Sequence, residues 1–571
     1  MTFFGILFVY LPVYFQSKRS IIMKKYVVIF SLILLTANYG HADSCISTGN
    51  DLAMTMCLSY QNVQYEVVLK FYPNPADVSG FYWKMDLSTL KQLSDNSRSC
   101  QILDGNFGLD VCARYQGVNY GFQMDFFPNP YDSAGLYWKA DTTTFAANPD
   151  DLWKYDFGAI NLGTTITYSG TGISVSGATV NITAGGDYML TGTLTNGMIK
   201  VDTKEKVKLR LSNVNITNKS GPAIFISNAD KAFITIVEDT VNYLTDGSSY
   251  SSSMDAKGTI FSNDSLEIKG DGTLHITGNY NHAIACDDGI NIENGNIIIE
   301  KAVSDGIHAN KGITIDGGNI TITSSSDGIE SEDDIVVNDG IVTVSAGGDG
   351  FIAATTLTVN GGDIDIVKAS EGIESKGNIV INDGLLTINA KDDGLNAVRN
   401  ITINGGNLYS VSTSGDAIDS SGTLNINGGI IVASGANAPE GGADCDKSTF
   451  TVKGGTLIAI GGSNSTPTTT VSTQPSVLLG SATVNSIIRI EQNGTEILTF
   501  KTPKAYANML FTSPNLVIGQ TYTVYSGGTV SGGTNFYGLY TGAAYSGGTQ
   551  SRTFTTTSVV TSAGGTTSGR F

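Results

Sequence analysis

Between about residue 160 and residue 462 the chain alternates apolar and polar residues in very short runs punctuated by glycine. Ile313-Thr314-Ile315 leads through Asp316-Gly317-Gly318-Asn319 into Ile320-Thr321-Ile322, and Ile401-Thr402-Ile403 leads through Asn404-Gly405-Gly406-Asn407 into Leu408. A period of two predicts strands with one face turned inward, and the paired glycines predict sharp corners. No stretch here sustains a 3.6-residue period, so helices are not expected.

The runs recur. Asp305-Gly306-Ile307, Asp327-Gly328-Ile329, Asp349-Gly350-Phe351, Glu371-Gly372-Ile373, Asp393-Gly394-Leu395 and Asp416-Ala417-Ile418 follow one another at steps of 22, 22, 22, 22 and 23 residues. His282-Ala283-Ile284 stands 23 residues ahead of the first, and Ala443-Asp444-Cys445 closes the series after an insertion containing Pro439. Asn338, Asn360, Asn382, Asn404 and Asn427 fall in one column of turns. Repeats of this length, made of strands and tight turns, predict an all-β chain built around a right-handed parallel β-helix. Leucine-rich repeats have a similar period but need a Leu-x-x-Leu-x-Leu pattern that is absent. Coils stacked at about 4.8 Å turn each column into a ladder.

Four segments follow. Residues 1–42 read as a signal region: Met23-Lys24-Lys25 is a basic start, Tyr26–Leu35 an apolar core and Gly40-His41-Ala42 a small-residue cleavage site, with Met23 the expected true start. Residues 43–150 are a tandem duplication of β modules, in which Cys45 and Cys57 recur as Cys100 and Cys112, and Tyr82-Trp83 as Tyr137-Trp138, 55 residues on. Residues 155–465 form the β-helix, and residues 466–571 a C-terminal β cap with a Gly/Thr/Ser-rich tail. In an exported chain, Cys45–Cys57 and Cys100–Cys112 are expected to be structural disulfides. The Tyr-Trp pairs are core aromatics of small β modules or, alternatively, platforms for sugar stacking. Cys286 and Cys445 are expected to be buried thiols.

Charge narrows the function. With 33 Lys plus Arg against 52 Asp plus Glu, the net charge is −19, which disfavours nucleic acid and anionic membrane as partners. The apolar run near the start is too short for a stable transmembrane anchor, and nothing in the pattern demands a partner subunit, so a monomer is expected. Four scattered histidines and no Cys-x-x-Cys pair give no support to a zinc ribbon.

Stacking creates a stripe of Asp305, Asp327, Asp349, Glu371, Asp393 and Asp416. Three residues on runs a second polar column of His308, Glu330, Glu374, Asn396, Asp419 and Asp446, interrupted by Ile352. Carboxylates one coil apart repel by about 0.9 kcal/mol in water and about 3.5 kcal/mol at an effective dielectric of 20. Either solvent and lysines (Lys301, Lys311, Lys368, Lys391) screen them, or Ca²⁺ bridges them with hard oxygen ligands. Two acidic columns in register favour Ca²⁺, with Asp305, Asp327, Glu330, Asp349, Glu371, Glu374, Asp393, Asp416 and Asp419 as ligands.

The repeated Asp-Gly-Ile and Ile-Asn-Gly-Gly coils, the stretch Gly415–Gly435 and the segment Ser513–Gly528 resemble a carbohydrate-binding parallel β-helix family, the clostridial cellulose- and pectin-binding type, itself similar to calcium-dependent pectate lyases. The resemblance covers roughly residues 160–530. It implies Ca²⁺ along the helix and affinity for plant-type polysaccharide, acidic pectin and polygalacturonate included. A weak lyase is the alternative, with Lys368 or Lys391 as base beside the metal; a structural surface adhesin is another. Aromatics are few in the coils (Tyr280, Phe351, Tyr409, Phe450), which weakens the cellulose half of the inference.

Overall fold

The computed structural model describes residues 157–565 apart from 252, 253 and 447, together with the backbone of seven strands between residues 46 and 147. The chain divides into two compact units, residues 1–155 and 156–571.

In the first unit the duplication becomes two three-stranded meanders: Ala53–Tyr60, Val63–Pro73 and Phe81–Gln92, then Gly108–Tyr115, Val118–Pro128 and Leu136–Ala147. Their third strands pair antiparallel, setting the backbone of Trp83 opposite that of Trp138 in one seven-stranded sheet. The expected disulfides and the side chains of Tyr82, Trp83, Tyr137 and Trp138 lie outside the described residues.

The second unit is a parallel β-helix of about twelve coils. Each regular coil carries three strands, for example Ile307–Ala309, Ile313–Ile315 and Asn319–Ser324. Each strand pairs in parallel with its counterpart one coil on, so Ile307, Ile329, Phe351, Ile373, Leu395 and Ile418 form one inward column. Ile313, Ile335, Leu357, Ile379, Ile401 and Leu424 form another. These residues are buried in a continuous apolar core. Dense stacking of branched side chains is the main stabilising term, worth roughly 1.5–3 kcal/mol per buried Ile or Leu.

The turn asparagines do more than make turns. Asn360 Nδ2 donates to Asn338 Oδ1 at 2.8 Å, Asn382 to Asn360 at 2.8 Å, Asn404 to Asn382 at 2.8 Å and Asn427 to Asn404 at 2.9 Å. The ladder starts on an acceptor-only carboxylate, Asp316 Oδ1, which takes Asn338 Nδ2 at 2.7 Å. Two residues after each asparagine a glycine holds positive φ, as at Gly362 (87°) and Gly384 (111°), a region that a Cβ disfavours. Asn382→Ala removes one bond up and one down the column. A loss of about 1–2 kcal/mol is expected, read as a lowered denaturation midpoint at unchanged slope.

The coils end where the parallel ladder reverses. Thr456–Gly461 pairs antiparallel with Asn508–Thr512, and a six-stranded antiparallel sheet follows, with its own core around Phe500, Phe511 and Tyr522. This cap packs against Ile458 and Ile460 and returns along the helix, stacking Tyr537 on Tyr409 at 3.7 Å. No helix among the described residues is long and apolar enough to cross a membrane.

Candidate metal centre

The acidic column sits at the corner before the strands of the first face, and the structure gives each part of the Asp-Gly-Ile signature a task. The isoleucine enters the core. The glycine is needed for space: a Cβ on Gly350 would meet Gly372 O at 2.4 Å, and one on Gly372 would meet Ile388 Cγ2 at 2.2 Å and Gly394 O at 2.3 Å. The aspartate caps the next rung. Asp305 Oδ1 accepts the Asp327 amide at 3.0 Å, Asp327 the Asp349 amide at 2.6 Å, Asp349 the Glu371 amide at 3.0 Å and Asp393 the Asp416 amide at 2.7 Å. Glu371, one methylene longer, instead accepts Asn396 Nδ2 at 2.9 Å. One oxygen of each capping aspartate is thereby anchored, which orients the other before any ligand arrives.

The second polar column runs beside it, through Glu330, Ile352, Glu374, Asn396 and Asp419 in register. Its last member is Asp444, which pairs with Asp419, and not Asp446 as the spacing predicts. The longer turn after Ser434 returns two residues earlier, so that Gly441 donates its amide to Asp416.

Four groupings result, each with ligand atoms within 4.8 Å of one another: His282–Asp305–His308, Asp305–Asp327–Glu330, Asp349–Glu371–Glu374 and Asp416–Asp419–Asp444. Eight of the nine acids expected from sequence fall in them. Asp393 does not; it serves the backbone.

Two of the lysines expected to screen the stripe, Lys301 and Lys311, are engaged elsewhere. Lys301 bonds Asn279 Oδ1 at 3.1 Å, Lys311 pairs with Asp288, and Lys368 and Lys391 are exposed. A lysine that does reach the stripe is Lys376, ion-paired to Glu374; two residues of separation with no repeat in other coils give it no signal in the sequence. Burial opposes its charge, but Glu374, with Glu371 and Asp349 behind it, holds Lys376 above the ordinary lysine value.

The electrostatics divide the stripe in two. At its upstream end burial works against Asp305, yet the imidazoles of His282 and His308 hold its carboxyl well below the usual range. His308 is in turn raised to about 10, since Asp305 and Glu330 outweigh its burial. Downstream the cationic help is thinner. Burial, then the charges of Asp327 and Glu374, pushes Asp349 up to about 6. Burial, with Glu374 and Asp349, takes Glu371 to about 7. Burial, with Glu440 and Asp444, takes Asp416 to about 9.

These shifts fix a sign. An acid whose folded value lies above its unfolded value near 4 binds a proton on folding, so stability falls as pH rises between the two. Denaturant titration in chelator should therefore give a metal-free protein more stable at pH 5 than at pH 8. Saturating CaCl₂ should flatten that slope, because a bound cation holds the carboxylates ionised.

The donor set suits a hard cation. Asp349, Glu371 and Glu374 supply oxygen from two coils, and Asp416, Asp419 and Asp444 from two more; Ca²⁺ accepts six to eight oxygens in loose geometry, whereas Mg²⁺ needs a compact octahedron.

A parallel β-helix with a stacked acidic corner is the class of protein that fold and site define. Residues 176–414 match the family model described as carbohydrate-binding domain-containing protein. A relative from Acetivibrio thermocellus with the same description is 36% identical over 135 residues, 23% of this chain and 47% of that protein. The chain thus matches about half the length of that relative. A solved polysaccharide lyase-like protein from C. thermocellum, a gadolinium derivative, is 31% identical with a TM-score of 0.38, covering 40% of this chain and 99% of that one.

Proposed function

We propose that this chain is an exported, calcium-dependent carbohydrate-binding protein that recognises acidic plant-type polysaccharide, pectin or polygalacturonate, along the acidic corner of its β-helix. The observation that carries the reading is the convergence of Asp349, Glu371 and Glu374, three carboxylates within 4.8 Å of one another on a stacked edge. Asp416, Asp419 and Asp444 repeat the arrangement farther along.

When bound, Ca²⁺ supplies the charge that lets a polyanionic protein hold a uronate carboxylate. The chain's own residues do the rest. Asp349 has one oxygen fixed by the Glu371 amide, which leaves the other for the cation. Asn396 holds Glu371 Oε2, limiting the rotamers lost on binding. The next coil repeats the edge about 4.8 Å on, so a chain of sugars laid along the rod meets more than one acid grouping. Export to a calcium-rich exterior, directed by residues 23–42, suits sites of modest affinity, as extracellular Ca²⁺ modules have.

Binding is favoured over lyase chemistry because the lysine beside the cluster, Lys376, is held protonated by its neighbours, and a general base must be free to accept a proton. Of the coil aromatics singled out from the sequence, Phe351 and Phe450 lie in the core, while Tyr280 and Tyr409 each stack on another tyrosine.

Co-sedimentation with polygalacturonate and with fully methyl-esterified pectin in CaCl₂ tests the reading. Retention on the acid and not on the ester is expected, without ultraviolet-absorbing unsaturated product. Equal retention on both would remove the carboxylate-bridging account, and accumulating unsaturated product would replace binding with catalysis.

A further inference from the structure

The upstream end of the stripe has a different chemistry from the rest. In the ladder position one coil before Asp305 stands His282, fixed there by the pairing of Ile284 with Ile307. His308 stands in the second column beside Glu330. The two imidazoles stack with centroids 4.4 Å apart and planes 17° apart, which turns both Nδ1 atoms toward one carboxylate oxygen. His282 Nδ1 lies 2.8 Å from Asp305 Oδ2, and His308 Nδ1 lies 3.6 Å from the same atom and 2.9 Å from Glu330 Oε2.

Two further features point to a ligand here. The side chain of His282 is 9% exposed, and its Nδ1, though close to Asp305, lacks the alignment of a hydrogen bond. A buried ring nitrogen aimed at a carboxylate without such a bond is an incomplete arrangement. His308 has the outer support of a metal-bound histidine: its Nε2 lies 3.3 Å from Asn310 Oδ1, and Asn310 Nδ2 donates to Asp287 Oδ1 at 3.1 Å. A hydrogen bond on Nε2 sets the tautomer that leaves the Nδ1 lone pair for a metal.

We propose that His282, Asp305, His308 and Glu330 form a site for a borderline divalent transition metal, zinc foremost, separate in chemistry from the oxygen-only groupings downstream. Two imidazoles and the Asp305 carboxylate, with ligand atoms within 4.8 Å of one another, and Glu330 beside His308 make a donor set that suits Zn²⁺ and that Ca²⁺ would use poorly. The opposing influence is a proton: His308 Nδ1 faces Asp305 and Glu330, so zinc must displace it to bind and apparent affinity falls as pH is lowered. The site stands whether or not the downstream acids take calcium, but it draws Asp305 and Glu330 away from that role and leaves Asp327 without its two partners.

The test uses the full chain, freed of metal by chelator and titrated calorimetrically with ZnCl₂ in the presence of excess CaCl₂. One equivalent of tightly bound zinc is expected. His282→Gln and His308→Gln should each weaken it at least a hundredfold, and His275→Gln, at an exposed pair with Glu300, should leave it unchanged. X-ray absorption of the zinc-loaded unmodified protein decides independently of how the variants fold. Two imidazole nitrogens at about 2.0–2.1 Å are expected. Oxygen scatterers alone, displacement of zinc by calcium, or no stoichiometric uptake would overturn the proposal.

Discussion

Affinity for oligogalacturonate is expected to fall at least a hundredfold when Ca²⁺ is chelated, a change of about 2.7 kcal/mol. The double variant Asp349→Asn, Glu374→Gln should reproduce most of that loss with Ca²⁺ present. The reason is electrostatic. The chain carries a net charge of −19 and the ligand is a polyanion, so without a shared cation the long-range term between them is repulsive. The amide variants keep shape and hydrogen bonding while removing the charge that recruits the metal. Calorimetric titration in CaCl₂ and in chelator measures both effects. Undiminished binding in chelator would mean that the sugar is held elsewhere. Thermal unfolding provides a second readout, since a site occupied at a hundred times its dissociation constant stabilises the fold by about 2.7 kcal/mol.

Gly372→Ala is expected to destabilise the β-helix by about 3 kcal/mol, the upper end of the range for overpacked interiors. The new methyl carbon would lie 2.2 Å from Ile388 Cγ2 and 2.3 Å from Gly394 O, so either the core or the next rung must move. Gly312→Ala is the control, because the nearest atom to its added carbon, Asp334 O, is 3.5 Å away, an ordinary contact. Equal losses at both positions in chemical denaturation would show that backbone freedom, and not space, is what glycine provides. Glu371 and Glu374 flank Gly372, so the same change should also weaken Ca²⁺ binding.

The columns could be read from the sequence because a stacked coil repeats its environment: Ile329 and Ile373 face the same core, and Asn360 and Asn382 face the same neighbour. For the same reason the buried state of Cys286 and Cys445 followed from their alignment with inward positions. Legibility failed where the period failed. The turn after Ser434 has no counterpart, so Asp446 was aligned where Asp444 belongs. Spacing points to Lys368 and Lys391 and not to Lys376, because proximity across a corner depends on strand direction that spacing does not encode. The capping role of the aspartates was also hidden. Repulsion between like charges is evident in a sequence, whereas a carboxylate oxygen taking the amide of the next rung requires the corner geometry.

Uniform rungs carry a hazard of their own. Between Asp305 and Asp393 one unit fits above its neighbour nearly as well as above the one beyond, so nothing in that stretch tells the chain how many turns to make. The count is set at the two irregular places: the imidazole that takes the acid's position at His282, and the lengthened turn that puts Gly441 beneath Asp416. These act like the end stops of a ruler.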